Sequence, residues 1–310
     1  MKILVTGGAG FIGSAFVRES LKPDSSFKQV DKIIVLDSFT YAPDPRALSD
    51  VENDSRLEIV KGNVENEELI KKLTREVDCI LHFAAESHVD RSIINPKIFI
   101  QSNILGSFSV LEAARIESKR VLMVSTDEVY GSLAIDQATE EFPLNPSSPY
   151  SSSKAAADLL AIAYAKTYKL DIQITRGANT YGPFQNSEKL IPNMITKLKN
   201  NKKIELYGNG TNVREWLHVD DHVAAIYSLL KNDKLSGIFN VSGDESLSNL
   251  EVAKIVLSNF GKLPSEIVFV GDRKGHDFRY AQNSTKLRTS TGWSPTRNLK
   301  ETIPTLVPLY

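Results

Sequence analysis

Short apolar runs separated by longer amphipathic stretches fill the first half of the 310-residue chain. Residues 3–5, 32–36, 57–60, 79–83, 121–124 and 172–175 are rich in Val, Ile and Leu without polar alternation, and predict strands buried on both faces. Between them, residues 11–21, 65–73, 96–115 and 150–168 carry helical patterns. This alternation predicts an α/β fold, a Rossmann-type doubly wound parallel sheet over residues 1–176. After Arg176 the rhythm changes: Asn179-Thr-Tyr-Gly-Pro-Phe-Gln and Tyr207-Gly-Asn-Gly-Thr-Asn are turn-rich. Short helices follow near 220–230 and 249–259, with short strands near Phe239 and at 267–270. Residues 177–310 thus predict a smaller, loop-heavy C-terminal α/β region that binds substrate, some of whose elements return to the first sheet. A ligand then sits in the crevice between the halves, at the carboxyl ends of the strands.

Composition narrows the class without choosing a function. Thirty-seven Lys and Arg against 38 Asp and Glu leave a net charge of −1, which argues against nucleic acid as a partner because that affinity needs excess cations. The single cysteine, Cys79, lies in an apolar run and reads as a buried, reduced thiol. Apolar stretches fall well short of the roughly 18 residues of a membrane span, and the chain enters on Lys2-Ile-Leu-Val with no signal-like segment. A soluble cytoplasmic protein is expected.

Chemistry begins at Gly7-Gly-Ala-Gly-Phe-Ile-Gly13, directly after the first strand and before the first helix. Gly7 and Gly10 permit a tight turn and close backbone approach to a pyrophosphate, Gly13 permits close helix packing, and the helix start at Phe11 and Ile12 faces the phosphates. Asp37 ends the second strand, placed to accept hydrogen bonds from a ribose diol and to repel a 2′-phosphate; the pattern therefore favours NAD over NADP. A structural glycine turn with a surface aspartate is the plainer alternative, and the ordered strand, turn, helix, strand and acid count against it.

The strand at 121–124 runs into Ser125-Thr-Asp-Glu-Val-Tyr-Gly131, which places Thr126, Asp127 and Glu128 at the carboxyl edge of the sheet. Downstream, Tyr150 and Lys154 stand at i and i+4 on one helix face, where an ammonium lowers the pKa of a phenol and makes it a base. Alone this pair is a common surface motif; joined to the glycine loop it reads as catalytic. His218 and His222 have a spacing that superficially suggests metal, but no metal is expected, and Asp220 or Asp221 suits a helix N-cap there.

These residues resemble the extended short-chain dehydrogenase/reductases, and within them the nucleoside-diphosphate-glucose 4,6-dehydratases, the dTDP-glucose branch above all. The resemblance covers nearly the whole chain. It rests on residues 6–13, Thr40-Tyr-Ala42, His82-Phe-Ala-Ala-Glu-Ser-His-Val-Asp-Arg-Ser92, residues 125–131, 150–154 and 179–185, Glu188-Lys-Leu-Ile-Pro192, Arg214-Glu-Trp216 and Gly275-His-Asp-Phe-Arg-Tyr280. The consecutive Thr126-Asp127-Glu128 discriminates best, since similar epimerases usually lack the Asp-Glu couple and similar decarboxylases usually keep only the Glu.

The resemblance implies a bound, regenerated NAD and a homodimer through the helices near 96–115 and 150–168. It implies that Tyr150, with Thr126 and Lys154, oxidises the sugar at C4, that Glu128 removes the C5 proton, and that Asp127 protonates the departing 6-hydroxyl. It assigns cofactor contacts to Asn63, Val64, Phe83, Ala84, Ala85, Ser87 and Asn103. Substrate contacts fall to Ser87, Thr126, Asn179, Lys189, Leu190, Arg214, Asn249, Arg273, His276 and Tyr280. Gly177, Ala178 and Thr180 depart from the usual residues at their positions, as do Asn63 and Pro43-Asp44-Pro45. The alternatives are a UDP-glucose 4,6-dehydratase, a UDP-glucuronate decarboxylase or sugar-nucleotide epimerase, and a non-enzymatic NAD-binding regulator.

Overall fold

The computed structural model describes residues 1–27 and 30–310. Its main sheet contains β1 (Lys2–Thr6), β2 (Lys32–Asp37), β3 (Leu57–Lys61), β4 (Cys79–His82), β5 (Arg120–Thr126) and β6 (Ile172–Gly177). These match the six predicted strands within two residues. Two further strands, β7 (Asn179–Tyr181) and β8 (Ile204–Tyr207), precede β9 (Val213–His218) and β10 (Gly237–Val241); β11 (Glu245–Ser248) and β12 (Ile267–Val270) follow. β10 joins the main sheet, whose seven strands run parallel in the order β10-β6-β5-β4-β1-β2-β3. The chain builds outward on one side of β1, then crosses to β4 and builds on the other. The crevice of a doubly wound sheet opens at that reversal, beyond the strands' carboxyl ends.

The central strands lie between two apolar layers, as their composition requires. One packs Phe16, Ile226 and Leu229 against Ile3 and Val35; the other packs Ile70, Leu111 and Ala161 against Leu4 and Ile34. β3 departs from the expectation of burial on both faces, because it is an edge strand and leaves Glu58, Ile59 and Lys61 in water. Cys79 is a buried free thiol, pushed up to about 12 by burial. Among the described residues, no helix is long and apolar enough to cross a membrane.

The sequence pattern missed β7, β8, β9 and β11. β9 reads Val-Arg-Glu-Trp-Leu-His, yet Arg214, Glu215 and His218 are buried along with its apolar residues. It lies between β11 and β7 in a three-stranded sheet, while β12 and β8 form a parallel pair. A third apolar cluster, including Ile191, Ile195, Val252, Val256 and Ile303, supports both small sheets. The helix predicted at 96–115 is divided into Pro96–Phe99, a π-helical turn Ile100–Leu105, and Gly106–Glu117.

Candidate active site

The glycine loop takes the shape its sequence demands. Gly7 has φ +69°, and a Cβ there would sit 2.5 Å from the Ala84 nitrogen; a Cβ on Gly13 would meet the Gly7 carbonyl at 2.3 Å. The helix Phe11–Leu21 has Gly10 at its N-cap with no side-chain cap, and its first bond in the helical register runs from Ser14 N–H to the Gly10 carbonyl, 2.8 Å. The amides of Phe11, Ile12 and Gly13 precede that bond and face an anion at the helix start. Asp37 braces the loop by accepting from Ala9 N–H (3.0 Å) and Phe39 N–H (2.8 Å).

Three adjoining chambers run from this loop across the sheet. The chamber at the β2 end holds Asp37, Asn63, Val64 and Ala84, and shares Gly7, Gly10, Phe83 and Ala85 with the middle chamber. Phe11, Ile12, Gly13, Ser87, Thr126, Asp127, Glu128, Tyr150 and Lys154 line the middle one. Ser87, Glu128, Asn179 and Lys189 are shared with the third, of about 470 Å³, where Leu190, Arg214, Asn249, Arg273, His276 and Tyr280 stand. One cleft therefore collects every residue expected from the sequence except Asn103. That side chain is 1% exposed and fully committed. Its Oδ1 accepts from Glu86 N–H (2.8 Å), and its Nδ2 donates to the Glu86 carbonyl (3.0 Å) and Ser153 Oγ (2.8 Å). Asn103 ties the segment after β4 to the helix that carries Tyr150, and lines none of the three chambers.

That helix, Pro149–Tyr168, begins with a capping box: Ser148 Oγ accepts from Ser151 N–H, and Ser151 Oγ accepts from Ser148 N–H. Pro149 at the first turn and the cap fix where Tyr150 enters the cleft. The phenol lies beside Thr126, while Lys154 donates to the Val124 carbonyl at 2.8 Å. The expected lowering of the phenol by Lys154 does not hold in this site. Burial, reinforced by the charge of Glu128, keeps Tyr150 well above its ordinary range, and burial keeps the Lys154 ammonium below its own.

Asp127 and Glu128 open a 3-10 turn at the end of β5, capped by Thr126. Their surroundings differ. Asp127 is buried, and desolvation with the nearby charges of Glu128 and Glu215 raises it well above the carboxylate range. Glu128 is raised by burial too, but Arg273, Arg214 and Lys189 oppose the shift. Both carboxyls are raised, Asp127 the more strongly, so Asp127 holds its proton more firmly than Glu128 does.

In the third chamber, Arg214 is a clamp as well as a charge. Its guanidinium donates to the carbonyls of Asp277 (2.9 Å) and Val213 (2.8 Å), and lies 4.2 Å from the Tyr280 ring centre. Tyr280 donates to Asp277 Oδ2 at 2.7 Å, a contact for which the motifs carry no signal. Glu215, 5% exposed and pushed up to about 7 by burial, was likewise not expected. The N-cap expected from Asp220 or Asp221 is His218 instead: its Nδ1 accepts from Asp220 N–H, while Asp221 accepts from Thr296 and Arg297 beyond the helix. Buried polar atoms without partners border the cleft: Asp127 Oδ2, Asn179 Oδ1, His222 Nε2 and Arg273 Nε. With the helix-start amides, they supply donors and acceptors suited to a dinucleotide and a phosphorylated sugar.

Residues 4–306 match the family model described as GDP-mannose 4,6 dehydratase. The chain belongs to that family. Among its relatives, the dTDP-glucose 4,6-dehydratase of Mycobacterium tuberculosis is 42% identical over 95% of this chain and 88% of its own length. That of Actinoplanes sp. is also 42% identical, over 100% and 98%. The crystal structure of DesIV, a dTDP-glucose 4,6-dehydratase from Streptomyces venezuelae with NAD and TYD bound, is similar with a TM-score of 0.97 and 44% identity, covering 100% of this chain and 97% of that one. More distant in sequence, the UDP-glucuronic acid 4-epimerase of Bacillus cereus has a TM-score of 0.92 at 26% identity, covering 100% of this chain and 98% of that one. The family fold is thus shared by enzymes of different outcome, and the side chains in the cleft carry the distinction.

Proposed function

We propose that the chain binds NAD and dehydrates dTDP-glucose to dTDP-4-keto-6-deoxyglucose, a hydro-lyase reaction. The observation that carries this reading is Thr126-Asp127-Glu128 at the mouth between chambers, where Asp127 is raised more strongly than the Glu128 that three cations offset. The dehydratase names of relatives more than 40% identical, and the NAD bound to DesIV, support it. The glycine loop and Asp37 would hold the two ends of the adenosine diphosphate, and Tyr150 and Lys154 would meet the second ribose. NAD, when bound, supplies the hydride acceptor for sugar C4 and afterwards the hydride for C6.

The protein's own groups manage the protons. Tyr150 and Thr126 hold the 4-hydroxyl, and Tyr150 takes its proton. The phenol is protonated in the unliganded site, so its turn as base depends on positive charge arriving with the ligands. A ketone at C4 acidifies the proton on C5, which Glu128 removes while Asp127 protonates the 6-hydroxyl that leaves as water; a proton returns to C5 when hydride has reached C6. Protonated Asp127 is the acid that an epimerisation has no use for. Lys189, Arg214 and Arg273 give the third chamber the charge to hold a sugar diphosphate.

The same reading assigns residues 1–176 chiefly to NAD and residues 177–310 mainly to the nucleotide sugar. It places the work in the cytoplasm, where the free Cys79 stays reduced. It also assembles two copies through the helices near 96–115 and 150–168, where Ile100, Leu105, Leu159 and Tyr168 expose apolar surface; sedimentation as a monomer would contradict that pairing. The decisive experiment incubates purified protein with dTDP-glucose or UDP-glucose without added NAD and follows the alkali-induced absorbance of a 4-keto-6-deoxy sugar. Turnover of dTDP-glucose is expected, faster than UDP-glucose by roughly tenfold or more for one methyl group. Turnover of neither sugar rejects the reading.

A further inference from the structure

His222 lies in the helix Val219–Leu230, 1% exposed, on the wall of the middle chamber. Its ring occupies space that a side chain at residue 177 would need. A Cβ on Gly177 would sit 2.5 Å from His222 Cε1 and 2.9 Å from Nε2. The glycine that ends β6 thus brings the imidazole against the sheet edge.

The contacts around the ring support one tautomer. Thr180 Oγ1 lies 3.0 Å from the Ala178 carbonyl and 2.8 Å from His222 Nδ1; we assign its one hydrogen to the carbonyl, which can only accept, so that the hydroxyl accepts from Nδ1. Nδ1 therefore carries the hydrogen, and Nε2 presents a bare lone pair. Burial pushes the imidazolium down to about 4, which keeps the ring neutral. Nε2 is buried and has no partner among the described residues, a costly arrangement unless a donor arrives.

The chamber's layout identifies that donor. A dinucleotide that sets its adenosine ribose at Asp37 and its diphosphate at the helix start extends its other half towards Lys154, Gly177 and Ala178. The Ala178 backbone N–H is already given to the Val241 carbonyl at 2.9 Å. We propose that His222 positions the nicotinamide by accepting a hydrogen bond at Nε2 from the carboxamide amino group. This inference rests on the NAD reading above. The contact fixes the rotation of the ring, and with it the face turned towards Tyr150 and the sugar.

The test measures binding to the full-length protein freed of nucleotide, for wild type, His222→Phe and His222→Gln. The probes are NAD, nicotinic acid adenine dinucleotide, which has a carboxylate in place of the carboxamide, and ADP-ribose, which lacks the ring. Wild type should prefer NAD to the acid analogue by about a hundredfold, because a lone pair facing a carboxylate repels it. His222→Phe should bind NAD about tenfold more weakly and lose most of the preference, while ADP-ribose affinity stays unchanged. Gln keeps an acceptor at similar reach, and should restore the preference. A preference that survives in His222→Phe overturns the assignment, as does a wild type that binds NAD and the acid analogue equally, which needs no variant. Failure of wild type to bind any of the three overturns the NAD reading itself.

Discussion

At the scale of single residues, the cleft shows how neighbours in sequence acquire different chemistry from their surroundings. Asp127 lines the middle chamber, with Oδ2 unpartnered among the described residues, whereas Glu128 also faces the cationic third chamber. Dielectric and charge separate two carboxyls that the sequence presents as a couple. Asp127→Asn and Glu128→Gln should each lower release of the 4-keto-6-deoxy product by about 10²–10⁴-fold, the usual worth of a general acid or base. Because both act after oxidation at C4, a burst of NADH absorbance on adding dTDP-glucose should persist in each variant. Loss of that burst would place them in the first step instead. The placement of Thr126, Tyr150 and the glycine loop at the cleft was legible because a strand end, a helix start and the glycine spacing mark them. Asp277, Glu215 and the orphaned Nε2 of His222 were not legible, since each depends on a contact across the fold: Asp277 with Ser147, Glu215 with Gln282, and His222 with Gly177.

At the scale of elements, local signals fixed the starts of helices better than their continuity. Ser148-Pro149 opens the catalytic helix through a reciprocal cap, and Ser248 with Glu251 opens Asn249–Asn259 in the same way. Ser148→Ala should lower thermal stability by about 1 kcal/mol and reduce kcat through the displaced Tyr150, with KM for the sugar little changed; thermal denaturation and steady-state kinetics check both. The segment 96–115 has an unbroken helical pattern, yet a π-turn interrupts it. In that turn Asn103 bridges Glu86 and Ser153, a use for which helical periodicity has no sign. The missed β9 is the converse case. Its Arg214, Glu215 and His218 are hidden by the strands and loops packed over them, so burial did not require apolar residues.

At the scale of the whole molecule, burial of ionisable groups makes stability depend on pH. Glu215 is raised from 4.5 to about 7 in the folded chain, so the native state binds a proton more readily than the unfolded one. Its contribution is complete below the unfolded value and is lost as pH rises through about 7. Glu215→Gln keeps an acceptor for Gln282 N–H and removes the ionisation. The fall in melting temperature between about pH 5 and pH 8 should therefore be smaller in the variant, by the equivalent of at most about 3 kcal/mol; an unchanged pH profile would contradict the shift. The return of β10 to the main sheet also belongs to this scale, since Gly237–Val241 pairs with β6 across some 60 intervening residues. The sequence by itself determined the alternating α/β order, the glycine turn, the acid that ends β2 and the strand end and helix start that carry the Thr, Asp, Glu, Tyr and Lys of the cleft, because each is written in local periodicity or spacing. Only the tertiary structure decided that Asn103 braces the site rather than lining it, that Lys154 turns to a backbone carbonyl, and that His222 faces the cleft. Burial and hydrogen-bond partners are set by residues far away in the chain, and these decide which polar atoms remain free for a ligand.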